Sequence, residues 1–374
     1  MANEQPPTRA QQENPSKVQP QTDEPTTGLS QADDGYLLPK QEQSPAETKR
    51  RRRRGRLVAT VALGVMGLIL VAIAALIGFY AKTANDAMNQ VQRQPSMMPQ
   101  STDPSRPPEP TPAAENLQPP LNVLIMGTDS RGYGDQGRSD VLMLAHVSGD
   151  RQSVYLISFP RDMWVPIPGR GNAKINAAYA WGGMPLAVQT VESLTGARID
   201  HSGIVDFEGF VSIIDAIGGI EVYNFAASGI DGYTFPAGPL TLDGKAALVY
   251  TRERVTLPHG DLDRARRQRD VVIAVTKKLM TPEVLADPGR FSEVINLMAP
   301  YFTVDDNLTN ARMIELALQM RYSQEGGLRS LQAPISGFGS SVDGQSIDIV
   351  DPVRMAELSK ALTTDTMATY WEQH

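Results

Sequence analysis

Hydrophobic positions fall into three regimes along the chain. Up to about residue 48 they are sparse and scattered among Gln, Pro, Glu, Asp and Thr. Such a stretch cannot bury enough apolar surface to offset its ordering entropy, which predicts a disordered tail. From Leu57 to Tyr80 they are continuous, about 24 residues without a charge, enough to cross a hydrocarbon core ~30 Å thick. From Leu121 onward they recur as short runs bounded by Gly, Asp and Pro, a pattern of buried strands alternating with helices.

In that third region the spacing predicts strands at Leu121–Met126, Val141–Ala145, Val154–Phe159, Ile204–Phe207 and Ile220–Tyr223, with short ones near Leu328 and Ile347. Helical spacing appears at Leu186–Thr195, stopped by Gly196, and at Phe210–Ile217, closed by Gly218-Gly219. It returns at Val271–Leu279, Arg290–Met298, Thr309–Met320 and Pro352–Leu362. Strands alternating with helices predict an α/β fold: a three-layer α/β/α sandwich with a mixed central sheet.

Charge refines the organisation. Lys49, Arg50 to Arg54 and Arg56 precede the apolar run. A secretory signal would have a shorter apolar region and a small-residue cleavage site, whereas Ala81-Lys82-Thr83 follows here, so the run reads as an uncleaved signal anchor and one transmembrane helix. Its flanking positive charge puts the N-terminus in the cytoplasm and all that follows Tyr80 outside. Four segments result: a tail over 1–56, the membrane helix over 57–80, a Pro-rich spacer over 81–118, and the main domain over 119–374. Residues 1–56 carry ten Lys/Arg against eight Asp/Glu, so the rest carries about −9 of the net −7. An acidic domain is a poor general nucleic-acid binder, and any phosphate it holds must be held by local arginines. The chain has no Cys, its four His show no ligand spacing, and no G-x-S-x-G elbow occurs, which disfavours thiol, His-zinc and serine-triad chemistry.

The first two predicted strands deliver one loop, Gly127 to Asp140, rich in glycine and holding Asp129, Arg131, Arg138 and Asp140. Gly132, Gly134 and Gly137 spell G-x-G-x-x-G, but a strand follows where the dinucleotide fingerprint needs a helix. Carboxylates beside arginines suit a divalent metal bridging to a phosphate. Alternatively, the loop is a hairpin whose Asp residues only form Asx-turns. Arg252 and Arg254 alternate with Glu253, so on a strand both would share a face. They mark either a surface edge or part of an anion site.

The ordered series is long. It runs G-x-D-x-R at Gly127–Arg131, R-S-D at Arg138–Asp140, F-P-R-D at Phe159–Asp162 and K-I-N-A-A-Y at Lys174–Tyr179. It continues with V-D-F-x-G-F at Val205–Phe210, L-D-G-x-x-A-L-x-Y-x-R-x-R at Leu242–Arg254 and D-x-x-R-x-x-R-Q at Asp261–Gln268. Together these resemble the LytR-CpsA-Psr family of wall glycopolymer ligases, from about Leu121 to Leu279. The resemblance implies a phosphotransferase. It would take a glycopolymer from a polyprenyl-pyrophosphate carrier, whose lipid lies in an apolar pocket, and join it to peptidoglycan through a phosphodiester. It implies Mg2+ on Asp129 and Asp140, and a catalytic set of Asp129, Asp140, Arg161, Arg252 and Arg254. Pyrophosphate contacts would come from Arg138, Arg161, Lys174, Arg252, Arg254, Arg264, Arg267 and Gln268. Asp129 and Asp162 are the candidate general bases. Phe207 and Phe210 read as core residues, and His259 as a loop residue. A lipid-pyrophosphate pyrophosphatase and a non-catalytic wall-polymer binder are the alternatives.

Overall fold

The computed structural model describes residues 45–128, 139–321 and 327–374, in two units, 1–67 and 68–374. The expected tail falls largely outside the described residues. The first helix, α1 (Pro45–Met88), is one unbroken element. Within it Leu68–Met88 is long and apolar enough to cross a membrane, and its large side chains are exposed, Leu68 at 72% and Leu70 at 61%.

The second unit is built on a seven-stranded mixed sheet. In chain order its strands are β1 (Gln92–Gln94), β2 (Leu121–Thr128), β3 (Ser139–Val147), β4 (Val154–Ser158), β7 (His201–Asp206), β12 (Phe302–Asp305) and β13 (Leu328–Gln332). The spatial order is β1-β12-β7-β2-β3-β4-β13. A four-stranded sheet, β14-β15-β5-β6, joins β5 (Met163–Ile167) and β6 (Gly171–Lys174) to the late hairpin β14 (Ile335–Ser340) and β15 (Ser346–Val350). Two small ribbons pair β8 (Ile220–Asn224) with β11 (Gly238–Leu242), and β9 (Ser228–Ile230) with β10 (Tyr233–Phe235).

The strands at Leu121, Val141, Val154 and Ile220 form where the hydrophobic runs predict them. Their alternation sorts two faces: Leu124, Leu144 and Ile157 enter one core cluster with Val188 and Val191 of α2 (Asn176–Thr195) and Leu358 of α9 (Pro352–Thr363). The short α10 (Met367–Gln373) closes that layer through Met367 and Tyr370. The opposite face is covered by α3 (Phe207–Ala216), α4 (Gly244–Arg252), α5 (Asp261–Leu279), α6 (Pro282–Leu285) and α7 (Pro288–Met298), whose own cluster centres on Ile213, Ile214, Tyr250 and Val271. The last helix of the chain's middle part, α8 (Asn310–Gln319), has no fully buried residue. The layers are helix, mixed sheet, helix.

Three departures have clear causes. Helix α2 starts ten residues before the predicted Leu186, because the segment through Tyr179 is helical too. The glycines at 182 and 183 leave helical geometry and kink it just before Pro185. Residues around Arg252 are the end of a helix, not a strand: Asp243 caps α4 by accepting from the Ala246 N–H at 2.7 Å, and helix-forming Ala246 to Leu248 follow. Finally, much of 81–118 is not a spacer. β1 pairs with β12, Met97 is 1% exposed within the first core, and the Ser202 hydroxyl donates to the Met97 carbonyl. Arg106 makes a two-pronged ion pair with buried Glu192, 2.7 Å at its shortest, and Arg198 donates to the Pro107 carbonyl. Proline content signalled stiffness, but the core that takes up Met97 and the Glu192 that pairs with Arg106 lie far off in sequence.

Candidate functional site

Strand β4 leaves the sheet through Phe159-Pro160-Arg161-Asp162, and this turn is the hub of a charged cluster. Arg161 donates from Nε to Asp261 Oδ2 at 2.9 Å. Lys174, the last residue of β6, reaches Asp162 at 2.9 Å. Asp261 opens α5, where a carboxylate is favoured by the positive end of the helix dipole. It also receives Arg254 at 3.4 Å and Arg264 at 3.4 Å. Four cations therefore converge on two carboxylates that are about a fifth to a quarter exposed.

Electrostatics follow the packing. Burial alone would push the Asp261 carboxyl up, but Arg264, Arg161 and Arg254 outweigh it and hold it below the usual carboxylate range. Asp348, on β15, is displaced the other way. Burial, then the neighbouring Asp162 and Asp261, push it up to about 6, partly offset by Lys174 and Arg161.

The described candidates sort into three groups. Arg161, Lys174, Arg254 and Arg264 come together. Gln268 stands one turn beyond Arg264, donating to the Thr251 carbonyl, and with Arg161, Asp261 and Arg264 it lines a hollow of ≈ 10 Å³ against Leu142 and Phe159. Arg252 and Arg254 are exposed while Glu253 between them is buried, so the expected alternation survives although a helix end produces it. Arg267 is set apart. It is fully buried, lies over the Tyr250 ring at 4.1 Å, and donates to Asn224, the Ala226 carbonyl and Ser228. These contacts are with Asn224, Ala226 and Ser228 rather than with Asp162 or Asp261. Asp129 and Arg138 lie outside the described residues. Asp140 lies on β3 beside the Thr128–Ser139 pair, its side chain outside the description. His259 is a loop residue, two-thirds exposed beside Asp263. Among the described residues no cluster of three or more His, Asp or Glu is arranged to hold a metal.

Sequence reasoning left Asp261 out of the site set although it stood in the quoted motif, and it missed Asp348 entirely. Asp261 could have been chosen as the acidic first-turn residue of a helix opened by arginines. Nothing near Asp348 in sequence announces it, because pairing across more than 180 residues puts it there.

Beside the cluster the second sheet face is loosely covered. Val123, Ile125 and Val205, which share that face by register, are only partly buried and belong to neither core cluster. Helix α5 crosses this face, and Arg269 reaches the Ser158 hydroxyl from it.

Comparisons with known proteins bear on the family and the fold. The LytR_cpsA_psr family model matches residues 77–364. A polyisoprenyl-teichoic acid–peptidoglycan teichoic acid transferase TagU of Enterococcus faecalis is 30% identical over 301 residues, 80% of this chain and 94% of the relative. The TagU of Bacillus subtilis is 32% identical over 249 residues, 66% of this chain and 78% of the relative. Among solved structures, B. subtilis TagV aligns with a TM-score of 0.55 at 25% identity, covering 66% of this chain and 97% of that one. TagT bound to LIIa-WTA shares the fold, with a TM-score of 0.52 at 23% identity over 73% of this chain and 96% of that one. With the motif series, the mixed sheet and a family match spanning nearly the whole second unit, the chain belongs to the LytR-CpsA-Psr family.

Proposed function

We propose that this chain is a phosphotransferase that moves a wall glycopolymer from a polyprenyl-pyrophosphate carrier to a sugar hydroxyl of peptidoglycan. The observation that carries this reading is the convergence of Arg161, Lys174, Arg254 and Arg264 beside a half-buried apolar sheet face. A lipid diphosphate needs both: a dry surface for its chain and guanidinium groups for its charge. The names of the relatives, teichoic acid transferases, support the same donor and acceptor classes.

In this reading the carrier chain lies along Val123, Ile125 and Val205, and the pyrophosphate meets the arginines. The acceptor hydroxyl oxygen bonds to the glycan-side phosphorus, the bridging P–O bond breaks, and polyprenyl phosphate leaves. Arg161, Arg254 and Arg264 neutralise charge that grows on the leaving oxygen, and Asp162 and Asp129 are the candidate carboxylates to take the hydroxyl proton. We assign magnesium to Asp129 and Asp140. These residues flank the Thr128–Ser139 pair, and two carboxylates leave the remaining positions to water and substrate oxygens, as magnesium prefers. Bound there, the ion would supply positive charge to the pyrophosphate. We further assign the tail to the cytoplasm and the domain to the outer side, from Lys49 to Arg56 at the start of the apolar run.

The test supplies a lipid-pyrophosphate glycan and magnesium, with and without peptidoglycan fragments. Linked product should form only with the acceptor, and Arg161→Ala should lower turnover on the order of 10²-fold while leaving the unfolding transition nearly in place. Release of free phospho-glycan alone, never linked, would replace the transferase with a pyrophosphatase.

A further inference from the structure

Aromatic side chains left partly in water mark a binding surface when polar groups converge on them. Trp371 of α10 is 37% exposed and, with Tyr370, Arg354 and Gln332, lines a cavity of ≈ 440 Å³ at the edge of the seven-stranded sheet. β13 is the outermost strand there. The walls are held in place. The His374 ring stacks on Tyr370, centres 4.3 Å apart at 18°, donates to the Tyr370 carbonyl at 3.0 Å and meets Glu357 at 3.2 Å. Tyr370 and Leu331 pack into the first core cluster. Among the described residues the lining holds one arginine and no carboxylate.

That mixture suits a sugar. A pyranose has an apolar C–H face that lies on an aromatic ring, and a rim of hydroxyls that a guanidinium and a primary amide can bond. The volume falls within the ~300–1,000 Å³ usual for a small-ligand site.

Position decides which sugar. Gln332 pairs with Ser158 of β4, the Ala333 N–H donates to the Ser158 carbonyl at 2.8 Å, and Ser158 lines the hollow shared by Arg161 and Arg264. The cavity thus begins one strand, ~4.8 Å, beyond the strand that leads into the cluster. In the order β7-β2-β3-β4-β13 the proposed lipid face, on β2 and β7, lies on the other side of β4. In phosphoryl transfer the attacking and leaving oxygens are roughly in line. Polyprenyl phosphate departing toward β2 and β7 therefore leaves the β13 side to the acceptor.

We propose that this cavity is the acceptor subsite, holding an amino sugar of a peptidoglycan strand against Trp371, with Gln332 and Arg354 at its polar rim. This rests on the wall-transfer reading of the cluster. A neighbouring sugar of the same strand brings its hydroxyl to Arg161, so the protein grips a strand rather than a single sugar.

Ligand-observed NMR titration on the full chain in detergent micelles tests this. The probe is a tetrasaccharide of alternating N-acetylglucosamine and N-acetylmuramic acid that carries no peptide. Wild type should bind it, and Trp371→Ala and Gln332→Ala should each weaken it roughly five- to tenfold. Trp371→Phe should recover part of the loss. Gln332→Ala, at the sheet edge, serves where the Trp371 variant fails to fold. Affinity for a short-chain prenyl-pyrophosphoryl disaccharide should stay near the wild-type value, and in the transfer assay acceptor KM should rise more than kcat falls. Folded variants that keep wild-type affinity for the tetrasaccharide overturn the proposal. So does a wild type that binds a free stem peptide but not the tetrasaccharide. Variants that lose the prenyl-pyrophosphoryl probe instead give the cavity to the donor and also overturn it. In all three cases the transfer reading stands as long as linked product forms. A protein that holds the tetrasaccharide at Trp371 and never forms linked product removes the transfer reading, and the acceptor role with it.

Discussion

Replacing Asp348 with Asn should make the folded protein more stable at neutral pH, although the change removes a buried charge from a polar cluster. The sign follows from the direction of the shift. The carboxyl rises from an ordinary 3.8 to about 6 on folding, so the folded state holds its proton more tightly than the unfolded chain. Stability from this group is full below about 4, declines as pH rises toward 6, and stays reduced above that. A shift of just over two units, at about 1.4 kcal/mol each, amounts to about 3 kcal/mol at pH 7.5. Asn is neutral at every pH and escapes that penalty while filling nearly the same volume. Urea unfolding followed by tryptophan fluorescence reads it directly, since Trp164 sits on β5 opposite Ile349, the next residue after Asp348. The variant should exceed wild type at pH 7.5 and match it at pH 4. An equal gap at both pH values, or an Asn variant less stable at pH 7.5, would show that the carboxylate is held by a favourable contact and would refute the reasoning.

Two further outcomes follow from the same kind of bookkeeping. Asp261 is held below the usual range by Arg264, Arg161 and Arg254 against its burial, so its stabilisation is present above about pH 4 and fades as pH falls through its lower folded value. Asp261→Asn should therefore be less stable than wild type at pH 7, with the gap closing in acid titrations as pH falls below the ordinary carboxylate value. A gap constant with pH would exclude this origin. Arg106→Ala strands Glu192, whose side chain is 2% exposed, and should lower stability by about 3–5 kcal/mol, with Glu192→Gln added on top recovering part of it. A loss below about 1 kcal/mol in urea unfolding would mean that residues 92–107 are not fastened to the domain.

The two kinds of information in the sequence were unequally legible. Strands β2, β3 and β4 show as apolar runs because they lie in the middle of the sheet and most of their side chains are buried, and α3 shows because glycines at positions 218 and 219 stop it. The residues Arg161, Lys174 and Arg264 were named because the motifs that hold them resemble those of the family. What could not be read is what only distant pairing creates. Asp348 acquires its surroundings from β15 lying against β5, and Arg267, alike in type and spacing to Arg264, points instead to Asn224 and Tyr250. Three residues along one helix separate a contact with Asp261 from one with Asn224, and the motif alone holds both residues equally. The β1 segment was hidden for another reason. Proline and polar content describe a local preference for extended backbone, and whether an extended segment floats or docks depends on partners such as Val304 and Glu192, some 80 to 200 residues away.

The docking of that segment bears on how the proposed transferase would meet its donor. β1 begins four residues after α1 ends, and Gln90 and Asn89 already bond to Asn296 and Asn310 of the domain. A free chain of 38 residues would have let the domain roam ~30–35 Å from its anchor. On the proposed reading, in which the apolar helix crosses the membrane, a domain fastened this way would have almost no vertical freedom and would hold its charged cluster at one height above the bilayer. Search for the carrier would then be lateral diffusion of two membrane-held partners, and turnover should follow the surface density of carrier rather than its bulk concentration.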